Sequence, residues 1–200
     1  YDMTADLAME NPYATSSAWI RSFSGDGYSA GTQVYSCINR LLYDRIPESD
    51  VRKGWWVDAS LKSPLLEHVT WDGVSGDAVA GLTIDNVKMA FLPYTNVKFG
   101  MNTVGGTLND DDWPFMRVEE MILIQIEGLA KSGSPAQAKA MLEDFIRTYR
   151  DPAYSADASG RSLEDEIWFQ RRVELWGEGF SNNDTRRLNK PLVRFHGGEE

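Results

Sequence analysis

The chain has 200 residues, 42% of them hydrophobic and 25% charged, with a formal net charge of −10 at pH 7. That is ordinary globular composition, enough for one sizeable core, and the acidic balance excludes a nucleic-acid surface, which needs clustered Lys and Arg. The most apolar stretch, residues 121–126, is interrupted by Gln125 and flanked by Glu119, Glu120 and Glu127, so nothing approaches the run of about 18 apolar residues that a membrane span requires.

Cys37 is the only cysteine, which rules out an intrachain disulfide and a thiolate metal cluster. It reads as a small apolar filler. His68 and His196 are the two histidines and support no imidazole-built site, so neither metal nor cofactor is expected. The chain starts at Tyr1 with no charged-then-apolar leader, which reads as the start of a portion of a longer protein.

Residues 1–31 are rich in Ser, Gly, Asn, Asp and Tyr, with Asn11-Pro12 and Gly25-Asp26-Gly27 as turn signals, and read as loop carrying Tyr13, Trp19, Phe23 and Tyr28. Over residues 33–44 the spacing of Val34, Ile38, Leu41 and Leu42 predicts a helix, ended by Pro47. Turn-rich sequence follows to Gly81. Residues 87–99 alternate imperfectly around Pro93 and predict two short extended pieces. From Asp110 the character changes. Asp110, Asp111 and Asp112 precede Trp113-Pro114, an arrangement suited to a helix entrance; calcium binding would need an alternating oxygen-ligand loop, and none follows.

One helix is therefore predicted over 114–132 and, after Gly133-Ser134-Pro135, a second to Arg150, burying Ala138, Met141, Leu142, Phe145 and Ile146. Ser162 with Asp165 three residues on reads as a capping box opening a third helix. Gly177 and Gly179 weaken its end, and a short helical turn is expected over 184–188. The fold class is mainly α: stacked antiparallel, tetratricopeptide-like helical hairpins over 110–200, and a loop-rich part with one helix and a few short strands over 1–109. The two form one domain in this reading. Gly128 and Ala138 are small enough to let helix backbones approach.

The most informative stretch is residues 170–188, QRRVELWGEGFSNNDTRRL. On a helix, Arg171, Glu174 and Glu178 share one stripe, and Arg117, Glu120 and Glu127 form a matching stripe on the helix over 114–132. Together with RVEEMILIQIEGLAKSG and SPAQAKAMLEDFIRTYR, these segments resemble the SusD/RagB family of outer-membrane nutrient-binding lipoproteins. Arg117 and Glu120 take the ends of the family's Arg-aromatic-Ala-Glu pattern, and Glu127 the middle of Ala-Glu-Ala. Arg171, Arg172, Glu174, Leu175, Glu178 and Gly179 fit Glu-Arg-Arg-x-Glu-Leu-x-x-Glu-Gly, and Asp184 and Arg187 fit its tail. Asp50-Val51-Arg52 stands where the family tends to place Asp-x-Arg. Gln170 replaces a usual Glu, Val118-Glu119 replaces aromatic-Ala, and Ser181 a common Arg. The resemblance is to the family's C-terminal portion. It implies a helical fold, attachment to the cell-surface side of the outer membrane through an N-terminal lipid outside this chain, and a SusC-like TonB-dependent transporter as partner.

Arg117, Glu120, Glu127, Arg171, Arg172, Glu174, Glu178, Asp184 and Arg187 are expected to form structural salt bridges. Carboxylates held beside arginines stay ionised, which is wrong for a glycosidase's general acid, and no phosphate loop or Ser-His-Asp order is present. No catalytic residue is assigned. Aromatic rings on loops are the better functional candidates, because sugar C–H faces stack on Trp and Tyr while polar neighbours bond the hydroxyls. The candidate platforms are Trp19 with Arg21 and Tyr28, Trp55 and Trp56 beside Arg52 and Lys53, and Trp71. Burial against other parts of the protein is the competing reading for each. Trp168 and Trp176 are expected in the core. The expected function is non-catalytic binding of an oligosaccharide nutrient for transfer to the transporter. The rivals are a helical scaffold docking the transporter, a member binding a non-glycan nutrient, and, most remote, a glycoside hydrolase.

Overall fold

A computed structural model of the chain describes residues 2–3, 37–60, 62–64, 70–71, 74–75, 93–94, 96, 98, 113–114 and 116–193. Among these the fold is mainly helical, and the chain divides into two compact units: Tyr1–Tyr43 with Gly54–Phe115, and Asp44–Lys53 with Met116–Glu200. The boundary falls six residues beyond the change of character at 110, and the short segment Asp44–Lys53 belongs with the C-terminal helices.

In the first unit, two-residue strands β1 (Asp2–Met3), β2 (Thr70–Trp71), β3 (Val74–Ser75) and β4 (Trp113–Pro114) form two antiparallel pairs, β1 with β4 and β2 with β3. The expected helix over 33–44 is the four-residue α1 (Arg40–Tyr43), with residues 33–36 outside the described set. Asn39 starts it: its side-chain oxygen accepts the Leu41 N–H at 2.9 Å, a local bond that competes with continuing the helix backwards. Ile38 and Leu42 are buried, whereas Leu41 is exposed. Of the extended pieces expected over 87–99, the structure describes Trp56 bridging antiparallel to Asn96, with the Tyr94 N–H donating to the Val57 carbonyl at 3.0 Å. Cys37 is exposed, not packed as an apolar filler.

Pro114 is a strand residue, opposite Asp2, and not the first residue of a helix. A proline has no N–H to donate, which suits an edge strand as well as a first helical turn. Helix α2 starts only at Val118 and runs Val118–Lys131, so the acids in its first turn are Glu119 and Glu120. Asp110, Asp111 and Asp112 lie outside the described residues, too far upstream to occupy that turn.

The second unit is a stack of helices. Ser132 caps α2, and Gly133 follows at φ 88°, a left-handed backbone that glycine adopts without a Cβ clash. Helix α3 (Pro135–Tyr149) takes Pro135 at its first position. A turn this short makes α2 and α3 antiparallel neighbours. Helix α4 (Leu163–Glu174) opens on Ser162, whose hydroxyl oxygen accepts the Asp165 N–H at 3.2 Å. Glu164, Asp165 and Glu166 sit at its positive end and Arg171 and Arg172 at its negative end. The capping box is half-formed: Asp165 accepts from the Ser162 hydroxyl and from Lys190. Helix α5 (Phe180–Arg187) is eight residues long and starts four residues before the expected turn at 184, just after Gly179 at φ 86°.

Leu123 and Ile126 from α2, Ala138, Leu142, Phe145 and Ile146 from α3, and Ile167 from α4 close one core with Tyr154, Ala156 and Leu175. At roughly 1.5–3 kcal/mol per fully buried large apolar side chain, this cluster is the unit's main stabilising term. Ala138 is fully buried within it. Gly128 is not: it is exposed, and a Cβ built there would meet nothing within 4 Å. Its smallness is not needed for α2 to meet α3, although a mid-helix glycine costs roughly 0.5–1 kcal/mol against alanine.

Candidate functional site

Glu166, Gln170 and Glu174 are spaced four apart on α4 and so project from one face. All three are buried. Glu174, with no exposed side-chain surface, is the hub. Its carboxylate accepts from Arg150 Nη2 at 2.8 Å and Nε at 2.9 Å, and from Arg52 Nη1 and Arg117 Nη1 at 3.3 Å each. Arg117 also grips Glu178 with two bonds, Nε at 3.0 Å and Nη2 at 2.8 Å, and donates to the Glu174 carbonyl at 2.8 Å. Arg150 reaches on to Glu119 at 3.1 Å.

Arg52 arrives from the Asp44–Lys53 segment. Its own Asp50 accepts from Nη2 at 2.6 Å and Nε at 3.0 Å, so the Asp-x-Arg motif is a preassembled ion pair offered to α4. Arg52 Nη2 also donates to Gln170 Oε1 at 2.6 Å, and the Gln170 amide donates to Glu166 at 2.9 Å. This explains the departure at Gln170: an amide can accept from Arg52 and donate to Glu166, where a glutamate would set two carboxylates together. Glu166 also accepts from Tyr154 Oη at 3.0 Å and Arg161 Nη1 at 2.7 Å.

A second cluster joins α2, α4 and α5. Arg171 Nε donates to Asp184 at 2.8 Å and lies 4.0 Å from Glu127. Arg187 binds both Asp184, at 2.6 Å, and Glu127, which also accepts from Lys131 at 2.7 Å.

Burial raises the Glu174 carboxyl, but the guanidiniums of Arg150, Arg52 and Arg117 outweigh it and hold it below the usual carboxylate range. Glu166 likewise loses to burial less than it gains from Gln170 and Arg161, and lies low. The hydrogen bond from Arg187, opposed by burial and helped by Lys131, holds Glu127 at about 2. Near neutral pH these carboxylates are ionised and held by cations.

Two expected ion-pair residues depart from this pattern. Arg172 has no carboxylate partner among the described residues; its guanidinium lies 4.9 Å over the Trp168 ring, and burial with Arg45 nearby lowers its pKa. It is a cation–π contact. Glu120 also forms no ion pair among the described residues, and burial raises its carboxyl against the nearby charge of Arg171.

The aromatic candidates divide. Trp19, Arg21 and Tyr28 lie outside the described residues, and of Trp71 only its place in β2 is described. Trp56 is 1% exposed, so it offers no ring face to a sugar. Trp55 is half-buried, 6.2 Å from Trp56 between ring centroids, with Lys98 Nζ 4.5 Å from the centre of its ring. Arg52 is locked in the ion network and Lys53 holds the Ile46 carbonyl at 3.0 Å, which removes both as hydroxyl donors. Trp168 and Trp176 are half-buried, not core residues. Lys190 lies 5.5 Å from the centre of the Trp168 ring, and a cleft of about 30 Å³ beside it has room for water but not for a sugar ring.

A sequence profile of the SusD family matches residues 71–197, more than half of the chain. The chain belongs to the SusD family. A solved SusD-like carbohydrate binding protein from Bacteroides vulgatus ATCC 8482 has a similar fold, with a TM-score of 0.65 at 24% identity. That likeness covers 100% of this chain and 36% of the other, so this SusD-family chain spans just over a third of the length of its structural neighbour. No curated protein matches it. No helix among the described residues is long and apolar enough to cross a membrane.

Apart from Arg172 and Glu120, the charged motif residues of this SusD-family chain lie in the two ion clusters. Sequence reasoning missed Arg150, Glu119 and Glu166 as members. The four-residue spacing of Glu166, Gln170 and Glu174 was the available signal.

Proposed function

We propose that this chain is the C-terminal portion of a non-catalytic receptor that holds an oligosaccharide at the outer surface of the outer membrane for handover to a SusC-like TonB-dependent transporter. The observation that carries this is membership of the SusD family over residues 71–197; the similar solved protein is itself described as carbohydrate binding. The clamped, low-pKa carboxylates of Glu166 and Glu174 support the non-catalytic half of the reading, because a glycosidase needs one acid kept protonated near neutral pH.

Sugar contact then falls to rings. Trp55, half-buried beside the Lys98 ammonium, is the described candidate, and Trp19, Tyr28 and Trp71 are the others. Trp55 would pack a sugar C–H face, while the buried Lys98 holds the ring in place instead of reaching a hydroxyl. Calorimetric titration of an oligosaccharide panel against wild type, Trp55→Ala and Trp19→Ala tests this. At least one substitution is expected to weaken binding tenfold or more, about 1.4 kcal/mol. A wild-type protein that binds a glycan equally well after both substitutions removes these platforms; one that binds none of the panel counts against the glycan reading.

A further inference from the structure

We propose that Arg45 and Arg172 form a surface site for the carboxylate of an acidic sugar, a uronate residue within an oligosaccharide. The inference rests on the glycan-binding reading above and adds to it the charge of the ligand. Both residues belong to the helical unit, Arg45 in the Asp44–Lys53 segment and Arg172 in the last turn of α4. In that unit Arg52, Arg117, Arg150, Arg161, Arg171 and Arg187 each hold a carboxylate oxygen at 2.6–2.8 Å. Arg45 and Arg172 hold none among the described residues. The chain carries 30 Asp and Glu against 20 Lys and Arg, so two neighbouring arginines left without an acid stand out.

The geometry readies Arg172 for an anion. Its guanidinium lies 4.9 Å over the ring of Trp168, one turn back on the same helix. That contact fixes where the group sits without engaging its N–H donors. No acceptor meets those donors among the described residues, and its nitrogens are not sealed from solvent. The charge that acts on Arg172 is the exposed Arg45; burial first, and then that like charge, lower its pKa, yet the group stays ionised at neutral pH. A bound anion relieves both effects, because it neutralises the repulsion and accepts the open N–H bonds.

Donor chemistry selects the ligand. A planar guanidinium fork matches a planar carboxylate through two parallel charge-assisted bonds, which a neutral hydroxyl cannot offer. Position selects further. Arg45 is exposed and Arg172 half-buried, and the cleft lined by Trp168 has no room for a sugar ring. The ligand therefore brings its charge on an arm while its ring stays outside. A hexuronate does so, because its carboxylate stands off C5 of the ring.

Calorimetric titration of a panel of uronate oligosaccharides, each paired with its methyl ester, tests this, because the ester keeps the sugar and removes the charge. Wild type should bind at least one acid about tenfold or more tightly than its ester, and the preference should shrink as salt rises. Arg172→Gln should bring acid and ester to within about threefold. Arg45→Gln, at an exposed position, should do the same with an unchanged far-ultraviolet circular dichroism spectrum. Equal affinity for every acid and its ester, or a preference that survives both substitutions, overturns this site. Wild type that binds neutral oligosaccharides alone overturns it and leaves the glycan reading standing. Polyglutamate bound more tightly than every uronate overturns it in favour of an acidic protein partner, and a protein that binds no sugar, charged or neutral, removes the glycan reading as well.

Discussion

Replacing Glu174 by Gln keeps the shape of the hub and removes its charge. Arg150, Arg52 and Arg117 would then converge on a neutral amide that has no exposed surface. Removing one partner from a buried ion pair costs about 3–5 kcal/mol, because the other charge is left desolvated. Each arginine here retains another carboxylate, Glu119, Asp50 or Glu178, which places the loss at the lower end, about 3 kcal/mol. With a urea slope of about 1–3 kcal/mol per molar, the midpoint falls by about 1–3 M. The assay is urea unfolding followed by far-ultraviolet circular dichroism, which reads the helices directly. Glu164→Gln, at an exposed position on the same helix, serves as control and should stay within about 0.5 kcal/mol of wild type. A Glu174→Gln midpoint no lower than the control's would refute the claim that this cluster holds the helices together.

The second cluster predicts an acid limb. Glu127 is held at about 2 in the folded chain against an ordinary value near 4.5. A folded value below the unfolded one stabilises fully above the unfolded pKa and is lost as pH falls toward the folded one, so melting temperature should drop between about pH 4.5 and 2. Glu127→Gln should flatten part of that drop, and an unchanged profile would contradict the assignment. Ser162→Ala should cost about 1 kcal/mol by removing the cap on the Asp165 N–H; hydrogen exchange in the first turn of α4 should speed up while the rest of the helix is unaffected, and uniform exchange would show the cap to be idle.

How far the sequence predicted the fold varied with the range of the forces involved. Helix α3 was legible because Ala138, Leu142, Phe145 and Ile146 repeat an apolar stripe, and each is buried. The start of α2 was misread because Pro114 suits two local structures, and its partner Asp2 is more than a hundred residues away. Helix α5 was underestimated because FSNNDTRR has no apolar period, and its ion pairs to α4 and α2 give it contacts that propensity does not encode.

The charged stripes were readable as rows but not as pairs. Arg117 met Glu174 and Glu178, while Arg171 turned to Asp184 on its own side of the chain, and Arg172 took a ring instead of a carboxylate. Arg150 escaped notice because a helix-terminal arginine looks like a partner for the dipole. Its reach to Glu174 and Glu119 depends on how α3 packs. Trp56 shows the limit for aromatics: adjacent to Trp55 in sequence, it is buried where its neighbour is half-open.

The division between a charged frame and recognition by rings rests most directly on Glu178, one turn beyond the hub. Wild type and Glu178→Gln should be incubated with the oligosaccharides that the wild type binds, and reducing ends counted. The account predicts no sugar release by either protein, with similar affinity for both. Release by the wild type that disappears in the variant would contradict it.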